Sequence, residues 1–416
     1  MSDGRDTTQG HHARDEATTG LRRRQLLGGA AIGAGILGAG AGGFGLASRR
    51  RNGAAETMPE DAYGTAAVPF HGEHQAGILT TGQAQATLIA LDLRPDTGRE
   101  DLRRMMRLLS ADAARLAQGE VPLADSEPEL ALVPARLTVT FGFGPGFVEA
   151  AGGAAPSWLA PLPAFGVDRL DPAYCDGDLL IEVAADDPVT VAHAVRMLLK
   201  DARAFTGLRW TQSGFRRARG TEPGGTTMRN LFGQIDGTVN PAPGSEDFDQ
   251  LVWCREGWLA GGTSLVIRRI HMDLEGWDRL DRPGREQSVG RTLGNGAPLT
   301  GGNEHDEPDF EALNAQGFTV IPPFAHIRRA RSENPRERIV RRSYNYDDPP
   351  SAGQISDSGM IFMSCQADVD RQFVPIQRRL DELDLLNQWT TPVGSAVFAV
   401  PPGCGADGYI GETLLE

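Results

Sequence analysis

Four short segments carry the residue types that chemistry needs. Residues 230–241 contain Gly233-x-x-Asp236-Gly237 within an apolar flank. Glycine tolerates positive φ and lets the backbone approach a flat ligand closely, so this spacing presents one carboxylate on a tight turn. An isolated Asp-Gly pair is more often a structural turn, and alone the motif is weak. His326 follows two prolines, Phe324 and Ala325 and precedes Ile327 and two arginines. A lone histidine is usually a core or surface residue, yet imidazole on a backbone fixed by proline is also a standard axial ligand for haem iron. Residues 338–346 set Arg341 and Arg342 side by side in an extended stretch. Neighbours on a strand point to opposite faces, so only one of the two can enter a given pocket; two arginines on a surface strand are the plainer alternative. Residues 358–366 run through Phe362 as an apolar strand and lead into an amphipathic stretch at 373–377. Core packing is its default role, and lining a flat macrocycle is the functional one.

Together these segments resemble the dye-decolourising (DyP-type) peroxidases. Residues 69–78 look like that family's opening strand segment, and residues 137–146 resemble its second strand. Residues 177–180, residues 257–262, Trp277 with Asp278, and Gly290 with Arg291 follow in family order. The resemblance runs from residue 68 to the C-terminus, and several motifs in order are far more specific than the aspartate turn alone. It implies an α+β fold of two ferredoxin-like halves in one chain, a dimeric α+β barrel-like arrangement with antiparallel sheets and peripheral helices. It implies one haem b per chain in the C-terminal half. The implied activity is a haem peroxidase that reduces hydrogen peroxide and oxidises bulky organic donors such as dyes by one-electron steps. The opening motif and the N-terminus look most like an exported subgroup that includes deferrochelatase-like proteins. Release of iron from haem, or a non-catalytic haem-binding role beside a membrane iron-uptake partner, therefore stay open, as does a homodimer. The pair Asp236 and Arg341 speaks against mere haem storage, which needs neither.

Residue roles follow from the same resemblance. His326 is the proximal iron ligand and donates its other ring N–H to an acceptor; Asp306, Asp309 and Glu311 are near it in sequence. Asp236 is the distal carboxylate that moves a proton from one peroxide oxygen to the other. Arg341 is the distal arginine that stabilises charge on the breaking O–O bond, with Arg342 as the alternative if the register slips by one. Arg341, Gly237, Thr238, Val239, Arg331, Ser332 and Phe362 fall where the family touches haem. Tyr344, Tyr346 and Trp389 are candidate relays to donors too bulky for the pocket, although buried aromatics more often just pack.

These residues need elements to hold them. Strand-like runs lie at 86–93, 137–143, 179–183, 264–270, 360–363 and 396–400, and helix-like runs at 99–118, 188–205 and 368–386. The order repeats roughly, which suggests two similar halves meeting at a Gly/Pro-containing break at 221–225. The division expected is residues 1–55 as signal and linker, 56–225 as the N-terminal half and 226–416 as the haem-binding half. Residues 294–307 and 347–358 read as long loops.

The bulk numbers bound the partners. The chain has 416 residues, 40% hydrophobic and 23% charged, which are globular values. Residues 1–55 hold eight arginines against four acidic residues, a formal +4, which leaves −18 for the rest of a chain whose total is −14. Such a body repels phosphate backbones, so nucleic acid is not a partner. Cys175, Cys254, Cys365 and Cys404 are too far apart for zinc or iron–sulfur spacing and read as buried single thiols, with disulfides after export as the alternative. Arg22, Arg23 and Arg24 precede a 22-residue apolar run, 26–47, that contains nine glycines. Glycine makes it a poor permanent span. A twin arginine before a mild apolar stretch is the twin-arginine (Tat) export signal, which predicts a periplasmic, extracytoplasmic or secreted protein.

Overall fold

Alternation within β1 (Gln85–Leu93) sorts side chains onto two faces. Ala86, Leu88 and Ala90 enter one apolar cluster, while Ile89 and Leu91 enter another. The computed structural model describes residues 64–350 and 352–416, so the expected export signal lies outside the described residues. α1 (Arg99–Ala117) buries Leu102, Met105, Met106, Leu109, Ala113 and Leu116, the three-and-four spacing of a single helix face. Each such fully buried Leu or Met contributes about 2 kcal/mol. β2 (Thr138–Phe143), α2 (Pro145–Ala150) and β3 (Leu179–Ala185) follow. α3 (Pro188–Ala202) starts at Asp187, whose carboxylate accepts from Thr190 N at 2.8 Å, with Pro188 in the first turn where its missing N–H costs nothing. β4 (Thr206–Phe215) completes this half of the sheet.

The remaining elements are α4 (Glu246–Val252), β5 (Thr263–Met272), α5 (Leu274–Asp278), α6 (Arg282–Val289), α7 (His326–Ala330), β6 (Val340–Arg341), β7 (Tyr344–Asp348), β8 (Asp357–Gln366), α8 (Phe373–Leu383), β9 (Thr390–Val400) and α9 (Glu412–Leu415). The sheet order is β5-β9-β2-β3-β1-β4-β7-β8-β6, every pairing is antiparallel, and β5 also pairs with β8. Eight strands thus close into a ring, with β6 appended to β8. The α+β class, the antiparallel sheet and the peripheral helices agree with the family resemblance.

Closure creates three apolar regions. Inside the ring, Leu88, Leu180, Leu265, Ile361 and Phe398 meet the completely buried Tyr344 and Tyr346. Outside it, α1 and α3 cover one arc. A smaller cluster of Phe232, Met272, Trp277, Val289 and Met360 covers another arc, with Phe362, Ile327 and Trp389 against it. The ring has two thin seams, where β2 meets β9 only at Phe143 and Ala399, and β4 meets β7 only at Phe215 and Asn345. At the second seam a Cβ on Gly214 would stand 2.7 Å from both Ile361 and Tyr344, so no larger residue allows this approach.

Two expectations need correction, and β4 lies where no strand-like run was expected. Residues 69–78 form no strand; they are turns held by Gln75, whose amide donates to the carbonyls of Phe141 and Pro401 and accepts from Phe141 N. β4 went unrecognised because it is amphipathic with an exposed polar face, and its apolar content is too low to read as a run. The helix expected at 368–386 is shorter, Phe373–Leu383, because turns at both ends use Asp368 and Asp384 as local acceptors.

Candidate active site

Residues 228–236 fold back on themselves. Asp236 N donates to Met228 O at 2.8 Å, and Arg229 bridges Ile235 in antiparallel fashion. Asn230 Oδ1 accepts from the backbone of Phe232 and Gln234, and Trp277 Nε1 donates to Phe232 O at 3.3 Å, pinning the turn to the apolar cluster. Gly233 at φ +79° and Gly237 at φ +120° make the two reversals that other residues resist. Asp236 is thereby presented beside a polar cavity of about 160 Å³ that Gly237, Asn240, Arg341 and Ser343 also line.

Arg341 arrives from β6. Its Nη1 lies 2.6 Å from Asp236 Oδ1, with both side chains largely shielded from solvent. Its backbone is clamped from both sides by Asn240, whose Nδ2 donates to Arg341 O at 2.6 Å and whose Oδ1 accepts from Arg341 N at 3.0 Å. Asn240 lies within the same motif as the aspartate, so motif and arginine form one unit. Arg342 points the other way, as strand alternation requires, to Glu182 at 3.6 Å inside the ring. The structure brings Asp236 and Arg341 together and keeps Arg342 apart from Asp236.

His326 is the first residue of α7. Ala325 N donates to Pro322 O at 3.0 Å, which closes the proline turn before it, and α7 lies on α8 through reciprocal bonds between Arg329 and Arg379. His326 Nδ1 is 2.6 Å from Asp384 Oδ2, on a side chain that is only 4% exposed. Burial opposes protonation of the imidazole, but the Asp384 charge and hydrogen bond outweigh it and raise its pKa; Arg341 and Asp236 also act on the ring. The acceptor is therefore none of Asp306, Asp309 or Glu311, which spend their oxygens on the loop backbone or on Arg328. Asp384 is 58 residues away in sequence, and no local pattern marks it.

The other expected contacts are spread out. Thr238 Oγ1 and Thr227 Oγ1 both donate to Glu304 Oε1, at 2.9 and 2.6 Å. Val239 is exposed, Arg331 pairs with Glu307, and Ser332 Oγ donates to Glu337 at 2.7 Å. Phe362 lies against Phe373 and borders the Trp277 cluster. Tyr344 and Tyr346 are completely buried inside the ring, whereas the Trp389 ring packs edge-on against Trp277 with centroids 5.3 Å apart.

These residues fit a haem. His326 has one nitrogen anchored by a carboxylate, and its Nε2 makes no hydrogen bond to the described residues. Phe362 and Ile327 pack against the Trp277 cluster, and the charges of Asp236 and Arg341 act on the imidazole. A histidine anchored by a carboxylate, together with an acid–base pair whose charges reach it, is a donor set that suits a haem handling a small polar oxidant.

Residues 75–216 match the family model described as Dyp-type peroxidase, N-terminal, and residues 227–405 match that described as Dyp-type peroxidase, C-terminal. A dye-decolorizing peroxidase of Thermobifida fusca (strain YX) is 40% identical over 362 residues, spanning 82% of this chain and 84% of that protein. A deferrochelatase of Yersinia pestis bv. Antiqua (strain Nepal516) is 34% identical over 433 residues, spanning 97% and 96%. The crystal structure of a DyP-type peroxidase from Cellulomonas bogoriensis superposes with a TM-score of 0.83 at 56% identity, covering 85% of this chain and 99% of that one.

Proposed function

This chain belongs to the Dyp-type peroxidase family and is a haem peroxidase, and on that premise we propose that His326 holds the iron while Asp236 and Arg341 together handle hydrogen peroxide. Bound haem supplies the redox centre that reduces peroxide and oxidises organic donors one electron at a time. His326 would ligate through Nε2 while its Nδ1–H donates to Asp384, which fixes the tautomer and makes the imidazole a stronger donor. Asp236 would carry a proton from one oxygen of hydrogen peroxide to the other, which leaves as water, with the two electrons for O–O cleavage supplied by the bound haem, where the first oxygen stays. Arg341 holds that carboxylate in place and offers positive charge to the breaking bond. Gly237, Thr238, Val239, Arg331, Ser332 and Phe362 would meet the macrocycle or its edge.

The observation that carries this reading is the 2.6 Å contact of Arg341 with Asp236 in a polar cavity whose charges reach His326. The test is an optical spectrum of purified protein and of His326→Ala. Wild type should show a Soret band that changes on adding peroxide, and the variant should lose tightly held haem. Unchanged haem content in the variant would assign the iron to another residue.

A second reading, iron release with the porphyrin left whole, draws support from the deferrochelatase relative that aligns along nearly the whole chain. It would use the same pocket, and product analysis separates the two: free protoporphyrin against oxidised donor. Export by the Tat route accompanies either reading, supported by Arg23 and Arg24 before the glycine-rich run. A membrane iron-uptake partner and a homodimer stay open under either reading.

A further inference from the structure

The cavity beside Asp236 is not built by the C-terminal segment alone. Arg216, the last residue matched by the N-terminal family model, follows β4 and enters the cavity at the β4–β7 seam. Two contacts fix its guanidinium, and a glycine leaves it space. Nε donates to Ser343 O at 2.8 Å, the group lies over the Tyr344 ring at 4.7 Å, and Gly82 leaves it room, since a Cβ there would stand 2.0 Å from Nη1. Ser343 lies in the short link between β6 and β7, two residues beyond Arg341, so Arg216 is bonded to the segment that follows the arginine facing Asp236. Ser343 also lines this chamber, and its buried Oγ has no hydrogen-bond partner among the described residues. A polar chamber of about 160 Å³ is large enough for several waters.

We propose that Arg216 is a positioning residue for the peroxide-handling site: a fixed cation, contributed from the other half of the chain, that lines one chamber with Asp236 and Arg341 and sets the charge around that carboxylate. This rests on the reading of Asp236 given above. Arg341 is the nearest charge to Asp236, and His326 also feels it. Behind Arg216 stand Arg342 and the completely buried Glu182, and on the far side Glu304 is held by Thr227 and Thr238 next to Arg291. Burial pulls the Arg216 pKa down and Arg342 adds to that, while the negative charges of Glu182 and Asp236 oppose it. Charge is thus shared between the carboxylates and the two buried arginines.

The experiment uses the haem-loaded protein and compares Arg216→Gln, Arg216→Lys and Asp236→Asn with wild type. Two quantities are followed against pH at the Soret band: the rate of the peroxide-induced change, and the equilibrium binding of cyanide, a weak acid that must give its proton to a base in the site. Loss of one neighbouring cation should move the acid limb of both profiles upward by about one pH unit in Arg216→Gln. Arg216→Lys should bring both limbs most of the way back to the wild-type position, because it keeps the charge while losing the Ser343 bond. A purely structural arginine would lower haem loading or thermal stability in both variants and leave the limbs where they are, which overturns the proposal. If Arg216→Gln fails to fold, Gly82→Ala, which displaces the guanidinium, should give the same upward shift, and an unshifted profile there refutes it. If Asp236→Asn behaves as wild type, the reading of Asp236 itself fails; if it slows while Arg216→Gln shows no shift, only the role of Arg216 fails.

Discussion

Replacing Asp384 by Asn tests whether the iron-side hydrogen bond does what its geometry implies. The side chain keeps its shape, and one amide oxygen can still accept from Leu386 N, a bond now 3.0 Å long at Oδ1. The charge facing His326 Nδ1 across 2.6 Å is lost. A hydrogen bond to a charged group contributes about 1.5–3 kcal/mol and a neutral one about 0.5–1.5, so the difference is roughly 1–2 kcal/mol. That corresponds to roughly 5–30-fold in an equilibrium constant, within the ~10–100-fold range found when such partners of a metal-binding histidine are removed. Asp384 is nearly fully buried, so solvent does not screen the loss. Haem titration at the Soret band should therefore give an affinity about tenfold weaker, and the ferric–ferrous potential should rise because a less anionic imidazole stabilises the ferric state less. Thermal melting of the haem-free protein controls for the local turn. Wild-type affinity together with an unchanged potential would refute the assignment of His326 as the anchored ligand.

The other predictions bear on the peroxide side, on stability and on export. Asp236→Asn and Arg341→Leu should both retain haem and slow the peroxide-induced Soret change, by about 10²–10⁴ for lost proton transfer and about 10²–10³ for lost charge stabilisation; stopped-flow traces at the wild-type rate for both would discard the pair. Burial, and then the facing Asp112, push the Asp201 carboxyl up to about 7 from an ordinary 3.8, with Lys200 and Arg203 pulling the other way. Asp112, also raised, has Arg115 and Asp125 as its charged neighbours. Between those values the folded state holds a proton that the unfolded chain has released, so stability falls as pH rises through this window and levels off above it. Asp201→Asn should melt higher than wild type at pH 8 by about 1 kcal/mol after allowing for partial exposure, with the gap closing towards pH 4; an equal melting profile at both pH values would contradict the shared proton. Replacing Arg23 and Arg24 by Lys should hold the protein in the cytoplasm, and normal export of that variant, followed by cell fractionation, would exclude the Tat route.

What the sequence determined by itself was local. The aspartate turn is legible because two glycines at φ +79° and +120° leave only certain residues able to occupy it, and the proline turn before His326 is legible for the same kind of reason. The opposite facing of Arg341 and Arg342 follows from strand alternation alone. The helices α1 and α3 show their apolar faces in their spacing. β4 did not, because a strand half in water carries too few apolar residues to stand out. Tertiary structure decided which distant groups complete the site. Asp384 reaches His326 because α7 lies on α8, and Arg216 reaches the Asp236 cavity because the ring closes at the β4–β7 seam, where Gly82 and Gly214 give space. Hydrogen bonds and charge interactions act over a few ångströms in space, whatever the separation along the chain, and so the groups that complete the site leave no mark on sequence spacing.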